Sequence, residues 1–272
     1  MNLDEFIDSQ TNAFNLPLNK MQRDLFKILQ KELMKLATRD GVILDNEANI
    51  QIAAGLNKKI QNALKDIKFT NLVERFLDNF DEINKDIEKT QKGEKISVPT
   101  NVFKKWKNIK REEVITALLT SGIDANFSTP IRQLLNNRIG LGASLLDTIT
   151  ALQDTIEGDP QRLGSFEKYV TQISRDTLRN YTGSVNANIA TLYDLNAYRY
   201  VGSIVKDSRE QCIRWTSMDY ILMTDLQDEI DWAYNNGTGM IPNTTPENFA
   251  QNCGGYNCRH VAIPIRVKVE NK

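Results

Sequence analysis

The feature that most constrains the fold is the helical spacing of apolar residues over the first two-thirds of the 272-residue chain. Apolar side chains recur every three or four positions over Leu18–Leu36, Ile52–Ile67 and Leu72–Ile87. This spacing places them on one face of an α-helix, and that face must be buried against another helix or a partner. The pattern predicts a mainly α chain that begins with a series of amphipathic helices.

Two breaks in the helical spacing suggest how the chain is divided. Gly, Pro and several Lys residues interrupt it at Thr90–Thr100, and Gly158–Pro160 ends it again. Between the breaks we predict shorter helices, one around Val102–Trp106 and another over Val114–Leu119. The predicted divisions are an N-terminal amphipathic helical region at 1–95, a short-helix middle region at 96–163 and a C-terminal α+β domain at 164–272.

The C-terminal region differs in character from the rest. A long helix is predicted from Ser165 to about Leu195, and "TTPENF" (Thr244–Phe249) predicts a later helix capped by Thr245. Between them "NAYRYVGSIV" is aromatic and β-branched, which indicates a strand. Apolar residues alternate over Val261–Val267, the period of a strand with one buried face, and Pro264 places that strand at a sheet edge or a bulge. We predict that the two strands pair antiparallel.

The charge balance and the hydropathy pattern exclude some classes of partner. Lys plus Arg number 34 against 35 Asp plus Glu, so the net charge of -1 gives no general attraction to nucleic acid or an anionic membrane. The N-terminus lacks a basic, apolar leader pattern, and no run of about 18 apolar residues could span a bilayer. We expect a soluble protein made in a cytoplasm, with no membrane partner. Its three cysteines, an odd count, argue against a disulfide framework.

The three cysteines and the one histidine flank the two predicted strands. Cys212 follows the first strand, and Cys253, Cys258 and His260 precede the last. If these strands pair antiparallel, the end of one lies beside the start of the other, and a tetrahedral Cys3His zinc site becomes geometrically feasible. The competing interpretation is that the cysteines are small buried groups near a Gly-Gly turn and His260 is a hydrogen-bonded strand residue.

The same residues raise the question of nucleophilic catalysis. A cysteine could pair with His260, with Asp207 or Asn252 orienting the imidazole. Cys258 and His260, however, lie two positions apart at the same strand, and His260 would have to do all the imidazole acid-base work. We therefore predict that the protein is not an enzyme, and we keep a Cys/His-dependent enzyme or toxin-like effector as an alternative.

The strongest basic run is "KKWKNIKR" (Lys104–Arg111), with Trp106 inside it. A helical nucleic-acid-binding protein is the second alternative, because such a run could contact phosphates. If Trp106 instead packs with Val102 and Phe103, the lysines form a solvated face. The candidate phosphate contacts are Lys104, Lys105, Lys107 and Arg111.

Three elements of the C-terminal region occur in a distinctive order: "YRYVGSIVKDSREQC", "GTGMIPNTTPENF" and "YNCRHVAIPI". The first joins a strand to Asp-x-Arg-x-x-Cys, and the last joins Asn-Cys-Arg-His to a strand that contains Pro. From 165 to 266 the chain resembles the phage head-morphogenesis proteins, or minor head proteins, typified by the F protein of phage Mu. Many members have Cys-x-x-Cys in the first element and Cys-Arg-Cys in the last, where this chain has Trp215 and His260 in the second slots.

This resemblance implies a structural virion component that contacts the portal and other head proteins and assists capsid assembly and the packaging or delivery of DNA. It implies a place in the capsid interior or at the portal vertex, after assembly in the host cytoplasm. The thiol pattern of the family would here become Cys212, Cys253, Cys258 and His260, a ligand set for zinc. The N-terminal helices would serve as a docking module for a partner or for further copies of the chain.

Overall fold

The structure, a computed structural model, describes residues 3–159, 161–256 and 258–268. It is mainly α with a small C-terminal α+β part, which confirms the predicted fold class. The helices are α1 (Leu3–Asn15), α2 (Leu18–Leu33), α3 (Glu47–Ala54), α4 (Leu56–Asp66), α5 (Phe69–Leu77), α6 (Asn79–Gly93), α7 (Thr100–Leu119), α8 (Ser121–Ile123), α9 (Thr129–Gly140), α10 (Leu145–Glu157), α11 (Ser165–Leu192), α12 (Glu210–Ser217), α13 (Leu226–Asn236) and α14 (Phe249–Asn252). A π-helical segment (Asp124–Ser128) joins α8 to α9, and a 3-10 turn (Met223–Asp225) leads directly into α13.

The strands are short. They are β1 (Thr38–Arg39), β2 (Val42–Ile43), β3 (Gly158–Asp159), β4 (Arg162–Leu163), β5 (Ala197–Val201), β6 (Ile221–Leu222) and β7 (Val261–Ile265). The first four form two-stranded hairpins, and the last three form one sheet. Pro160, part of the second predicted break, lies outside the described residues.

The predicted helical stretches are present, but several are divided differently. α2 forms where the first was predicted and ends at Leu33. The second stretch forms two helices because Gly55, a weak helix former, separates α3 from α4. The prediction of two short helices in the middle region was wrong, because α7 runs without a break through both. Polar residues between the two apolar groups keep the helical geometry at the surface.

The described chain forms two compact units made of interleaved segments. The helical unit consists of Thr11–Leu77 and Glu113–Ile173, and the α+β unit consists of Met1–Gln10, Asp78–Glu112 and Ser174–Lys272. The helical unit is made of two separate segments and the α+β unit of three. The division at 1–95, 96–163 and 164–272 stays a prediction.

The helical unit is a layered packing of amphipathic helices. α2 lies against α10 and α4, and α3 lies against α9. Phe166 centres an aromatic cluster, with its ring 5.1 Å from that of Phe69 and 5.3 Å from that of Phe127, both edge to face. All three side chains are buried, so this cluster anchors the core of the unit.

The α+β unit contains a sheet with the strand order β6-β5-β7, antiparallel throughout. Ala197 pairs with Ile265 and Val201 with Val261, which confirms the predicted pairing of the two strands. β7 lies at the edge, where Pro264 is tolerated because an edge strand can lack a ladder N–H. The sequence did not reveal β6, because two residues are too few to show a period.

Helix α11 confirms the predicted long helix and supports this sheet. The Asn186 side-chain amide donates to the carbonyl of Ala262 in β7 at 2.8 Å. A Cβ on Gly183 would overlap the backbone of α14, so glycine permits the close approach of these two helices. The predicted helix over "TTPENF" was wrong: only Phe249–Asn252 is helical, and the side chain of Asn248 accepts from the Thr245 N–H instead.

Candidate metal centre

The pairing of β5 with β7 brings together the segments that carry cysteine and histidine. The pairing ends at Val201 and Val261, so the chain leaving β5 and the chain entering β7 lie at the same end of the sheet. Cys212 lies on α12, which follows β5, and Cys258 and His260 immediately precede β7. The convergence predicted from antiparallel pairing is therefore present for these three residues.

The three side chains form a tight, buried group. The two sulfurs of Cys212 and Cys258 are 3.8 Å apart, and the Cys258 sulfur is 3.6 Å from Nδ1 of His260. One ligand atom from each residue lies within 4.8 Å of those of the other two. At most 4% of each residue is exposed. Two sulfurs and an imidazole nitrogen at this spacing could hold a metal ion.

Cys253 does not belong to this group, although the sequence predicted it as a ligand. Its thiol donates to the carbonyl of Ala250 at 3.1 Å, and burial raises its pKa to about 12. Its backbone has a φ of 41°, in the left-handed region. The described structure thus brings three of the four predicted ligands together, and Cys253 serves the turn that follows α14.

Tyr200, on β5, was not identified from the sequence and lies directly against the cluster. Its hydroxyl is 3.3 Å from the sulfur of Cys258 and 3.6 Å from that of Cys212, and its ring stacks on His260 with centroids 5.1 Å apart. Burial raises the pKa of Tyr200 well above its ordinary value, so the hydroxyl stays protonated and can donate to a thiolate. The alternation along β5 could have identified Tyr200 as inward-facing, but not as a sulfur contact.

Arg209 and Gln211 fix the turn that closes the cluster. Arg209 donates through Nη1 to the carbonyl of Gly254 at 2.8 Å and through Nη2 to the carbonyl of Tyr256. Gln211 donates to the same Gly254 carbonyl at 3.1 Å. In the Asp-x-Arg-x-x-Cys element, the arginine therefore holds the opposite segment while the cysteine contributes its sulfur.

Trp215 occupies the slot in which many members of the resembled family have a second cysteine. It is completely buried, and its ring contacts those of Tyr200 at 5.3 Å and Phe249 at 5.1 Å. Its indole N–H donates to Glu229 at 2.9 Å, and Arg214 forms a two-pronged ion pair with the same carboxylate. In this chain Trp215 is therefore part of the hydrophobic core beside the Cys212, Cys258 and His260 cluster.

The protonation of the two sulfurs is coupled. A hydrogen bond from Cys212 lowers the pKa of Cys258 well below its ordinary value, and His260 and Arg179 lower it further against the opposing effect of burial. The same hydrogen bond, together with burial, raises the pKa of Cys212. The two sulfurs are therefore close enough for the protonation of one to affect the other.

Part of the basic run is engaged in contacts within the chain. The Lys107 ammonium contacts both carboxylate oxygens of Asp81 at 2.7 Å. The Lys105 ammonium lies 5.3 Å from the ring centre of Trp106. Lys104 is exposed and Arg111 is half-buried on the same helix. Phosphate contact by this run stays a prediction.

The fold and the site define a mainly α protein whose α+β unit encloses a buried Cys2His group. Comparisons with protein families, with curated proteins and with solved structures found no match to this chain. Within the described residues, no helix is both long and apolar enough to cross a membrane.

Proposed function

We propose that the protein is a phage minor head protein, a structural virion component that contacts the portal and assists capsid assembly and the packaging or delivery of DNA. The support is the resemblance carried by three elements of the sequence. One observation strengthens it: residues from the first and the last of these elements, Cys212, Cys258 and His260, meet in one buried group. The two elements therefore contribute side chains to a single site.

We propose that zinc is the ion held by this group. Two thiolates and an imidazole suit zinc, whereas magnesium and calcium prefer oxygen ligands. Cys212 and Cys258 are 46 residues apart, so an ion shared by them would link α12 to the entry of β7. Its contribution would be to folding stability, because in a structural site of this kind binding free energy is folding free energy.

The alternative to a metal site is an enzyme that uses Cys258 as the nucleophile and His260 as the base. The sulfur and Nδ1 are 3.6 Å apart, within reach of a proton transfer. The sulfur is also contacted by the Tyr200 hydroxyl, the Cys212 sulfur and the backbone N–H of His260. The neighbouring Cys212 sulfur, 3.8 Å away, makes this arrangement better suited to an ion held between two sulfurs than to a single activated nucleophile.

The test of the virion role is co-purification of the full chain with the products of neighbouring genes, with particular attention to a portal ring. Stable association with the portal, seen as comigration in size-exclusion chromatography and as added density on the ring, is the expected result. Failure to associate with any head protein would overturn the proposal.

The proposed zinc ion held by Cys212, Cys258 and His260 is called the metal clasp, because it would link α12 to the entry of β7. Its test is the metal content and stability of two matched variants. Cys258→Ser should lose stoichiometric zinc and much of its folding stability, because it removes a ligand. Cys253→Ser should keep its zinc, because this thiol contacts a backbone carbonyl instead. Loss of an enzymatic activity from Cys258→Ser with the fold and stability intact would favour the enzyme.

A further inference from the structure

A cavity of about 180 Å³ lies beside the cluster. Cys212, Cys258 and His260 all contribute to its lining, so an ion in contact with the three also borders this space. A water molecule has a share of about 30 Å³ in the liquid, and the cavity is therefore large enough for an anion the size of acetate or phosphate. The cluster is closed towards the protein core and open towards this cavity.

The charge of the lining is positive. Arg175, Arg209 and Arg259 all line the cavity, together with the carboxylate of Asp207. No ion pair joins any of these arginines to a carboxylate within the part of the chain that the structure describes. Guanidinium groups present a planar fork that matches carboxylate and phosphate oxygens. The cavity thus has the chemistry of a site for a small oxoanion.

Two buried nitrogens at this cavity have no hydrogen-bond partner among the described residues. They are Nε2 of His260, a residue only 3% exposed, and Nε of Arg175. A buried polar atom left without a partner destabilises the folded protein, so such atoms usually mark a ligand or solvent position. Nδ1 is the imidazole nitrogen that faces the Cys258 sulfur, so a metal ion bound through Nδ1 leaves the Nε2–H free to donate to an acceptor in the cavity. An anion there would also satisfy the guanidinium of Arg175.

We propose that the metal ion held by Cys212, Cys258 and His260 takes its fourth ligand from outside the chain. This ligand is a small oxoanion, a carboxylate or a phosphate group, which Arg175 and Arg259 also bind. Sites with three protein ligands keep one position for an exchangeable ligand, whereas closed structural sites have four. Two thiolates neutralise a divalent ion, so the surplus positive charge of the cavity selects an anion over a neutral ligand. This inference rests on the proposed metal clasp.

The experiment uses the full chain loaded with cobalt(II), whose visible spectrum reports both thiolate ligation and the identity of the fourth ligand. Sodium acetate and inorganic phosphate are titrated separately at constant ionic strength set with perchlorate. We expect a saturable change in the ligand-field bands while the thiolate-to-cobalt band persists. A response to acetate alone identifies a carboxylate ligand, a response to phosphate alone identifies a phosphate ligand, and a response to both supports the shared chemistry.

Matched variants separate direct contact from general charge. Arg175→Gln should weaken the apparent anion affinity at least about tenfold, as expected when a charge-assisted hydrogen bond worth about 1.5–3 kcal/mol is removed. Lys206→Gln removes the same charge from an exposed neighbour that does not line the cavity, and should change it little. Circular dichroism confirms that both variants are folded, and Arg259→Gln replaces Arg175→Gln if that variant is not.

The outcomes distinguish this inference from the clasp on which it rests. A thiolate-to-cobalt band that ignores both anions shows a closed site and overturns the inference while leaving the clasp in place. A cobalt spectrum that changes in Cys253→Ser identifies Cys253 as the fourth ligand and has the same consequence. Absence of any thiolate-to-cobalt band overturns the clasp itself, and the inference with it.

Discussion

Gly254 lies where a side chain would collide with the cluster, and Gly254→Ala is therefore the sharpest single perturbation of the site. A Cβ at this position would lie 2.5 Å from the sulfur of Cys212, 2.6 Å from the hydroxyl of Tyr200 and 2.9 Å from the sulfur of Cys258. The φ of Gly254 does not lie in the left-handed region, so alanine can adopt the backbone conformation of this residue without strain. The effect of the substitution is thus a steric one on the cluster.

The size of the effect follows from these distances. Unbonded heavy atoms are most stable at about 3.5–4.0 Å, so each of the three atoms would have to move by roughly 1 Å. The backbone at Gly254 is restrained from moving away, because Arg209 and Gln211 both donate hydrogen bonds to its carbonyl. Overpacking of this kind costs about 1–3 kcal/mol of folding stability. Zinc affinity should fall about 10- to 100-fold, the usual effect of disturbing the groups that orient metal ligands.

The assay compares zinc affinity, by competition with a chromogenic chelator, and the free energy of unfolding in urea. Gly93→Ala is the matched control: Gly93 ends α6, and no atom lies within 4 Å of the position of its Cβ. We expect the control to be neutral or stabilised by up to about 1 kcal/mol, with unchanged zinc affinity. If Gly254→Ala binds zinc as tightly as the wild type and unfolds at the same urea concentration, the sulfurs are not where the structure places them.

Two further substitutions test the support of the site, and a third tests the contact of Tyr200. Glu229→Gln should destabilise the protein by about 1–3 kcal/mol at neutral pH, because it weakens the ion pair with Arg214. The hydrogen bond from Arg214 lowers the pKa of Glu229 below 4.5. The stabilisation is therefore complete above about pH 4.5 and is lost as the pH falls through the folded-state pKa. The free energies of unfolding in urea of the wild type and Glu229→Gln should differ at pH 7 and converge towards pH 3. Gly183→Ala should cost more than 3 kcal/mol or prevent folding, since its Cβ would overlap the backbone of α14; near wild-type thermal stability would contradict that packing. Tyr200→Phe should raise the reactivity of the zinc-bound thiolates towards iodoacetamide without unfolding the protein, and an unchanged alkylation rate would rule out a hydrogen bond to sulfur.

The fold class was accessible from the sequence because its signals are periodic. Apolar spacing identified α2 and α11. The alternation over Val261–Val267 identified β7 as a strand, and Pro264 indicated its place at a sheet edge or a bulge. The positions at which helices end were harder to predict from the sequence. Gly55 separates α3 from α4, whereas the polar stretch within α7 does not interrupt that helix. The interleaving of the two units depends on contacts between distant segments, and no local pattern encodes them.

The candidate site was accessible in part, for a similar reason. Antiparallel pairing fixed the end of the sheet at which Cys212, Cys258 and His260 meet, but it could not fix which way each side chain points. Cys253 is separated from Cys258 by a turn, and its thiol is directed to the carbonyl of Ala250. The choice among four candidate ligands is decided by turn geometry, which depends on hydrogen bonds that the spacing of cysteines does not report.

The spacing of the Asp-x-Arg-x-x-Cys element has a physical reason in this structure. Arg209 is the residue immediately before α12, in an extended conformation, and Cys212 lies in the first turn of that helix. The arginine can therefore reach the carbonyl of Gly254 across the turn while the cysteine sulfur approaches the same residue from the other side. Only glycine leaves room for the sulfur there. The element thus joins a backbone clamp to a ligand, and disturbing either part should loosen the other.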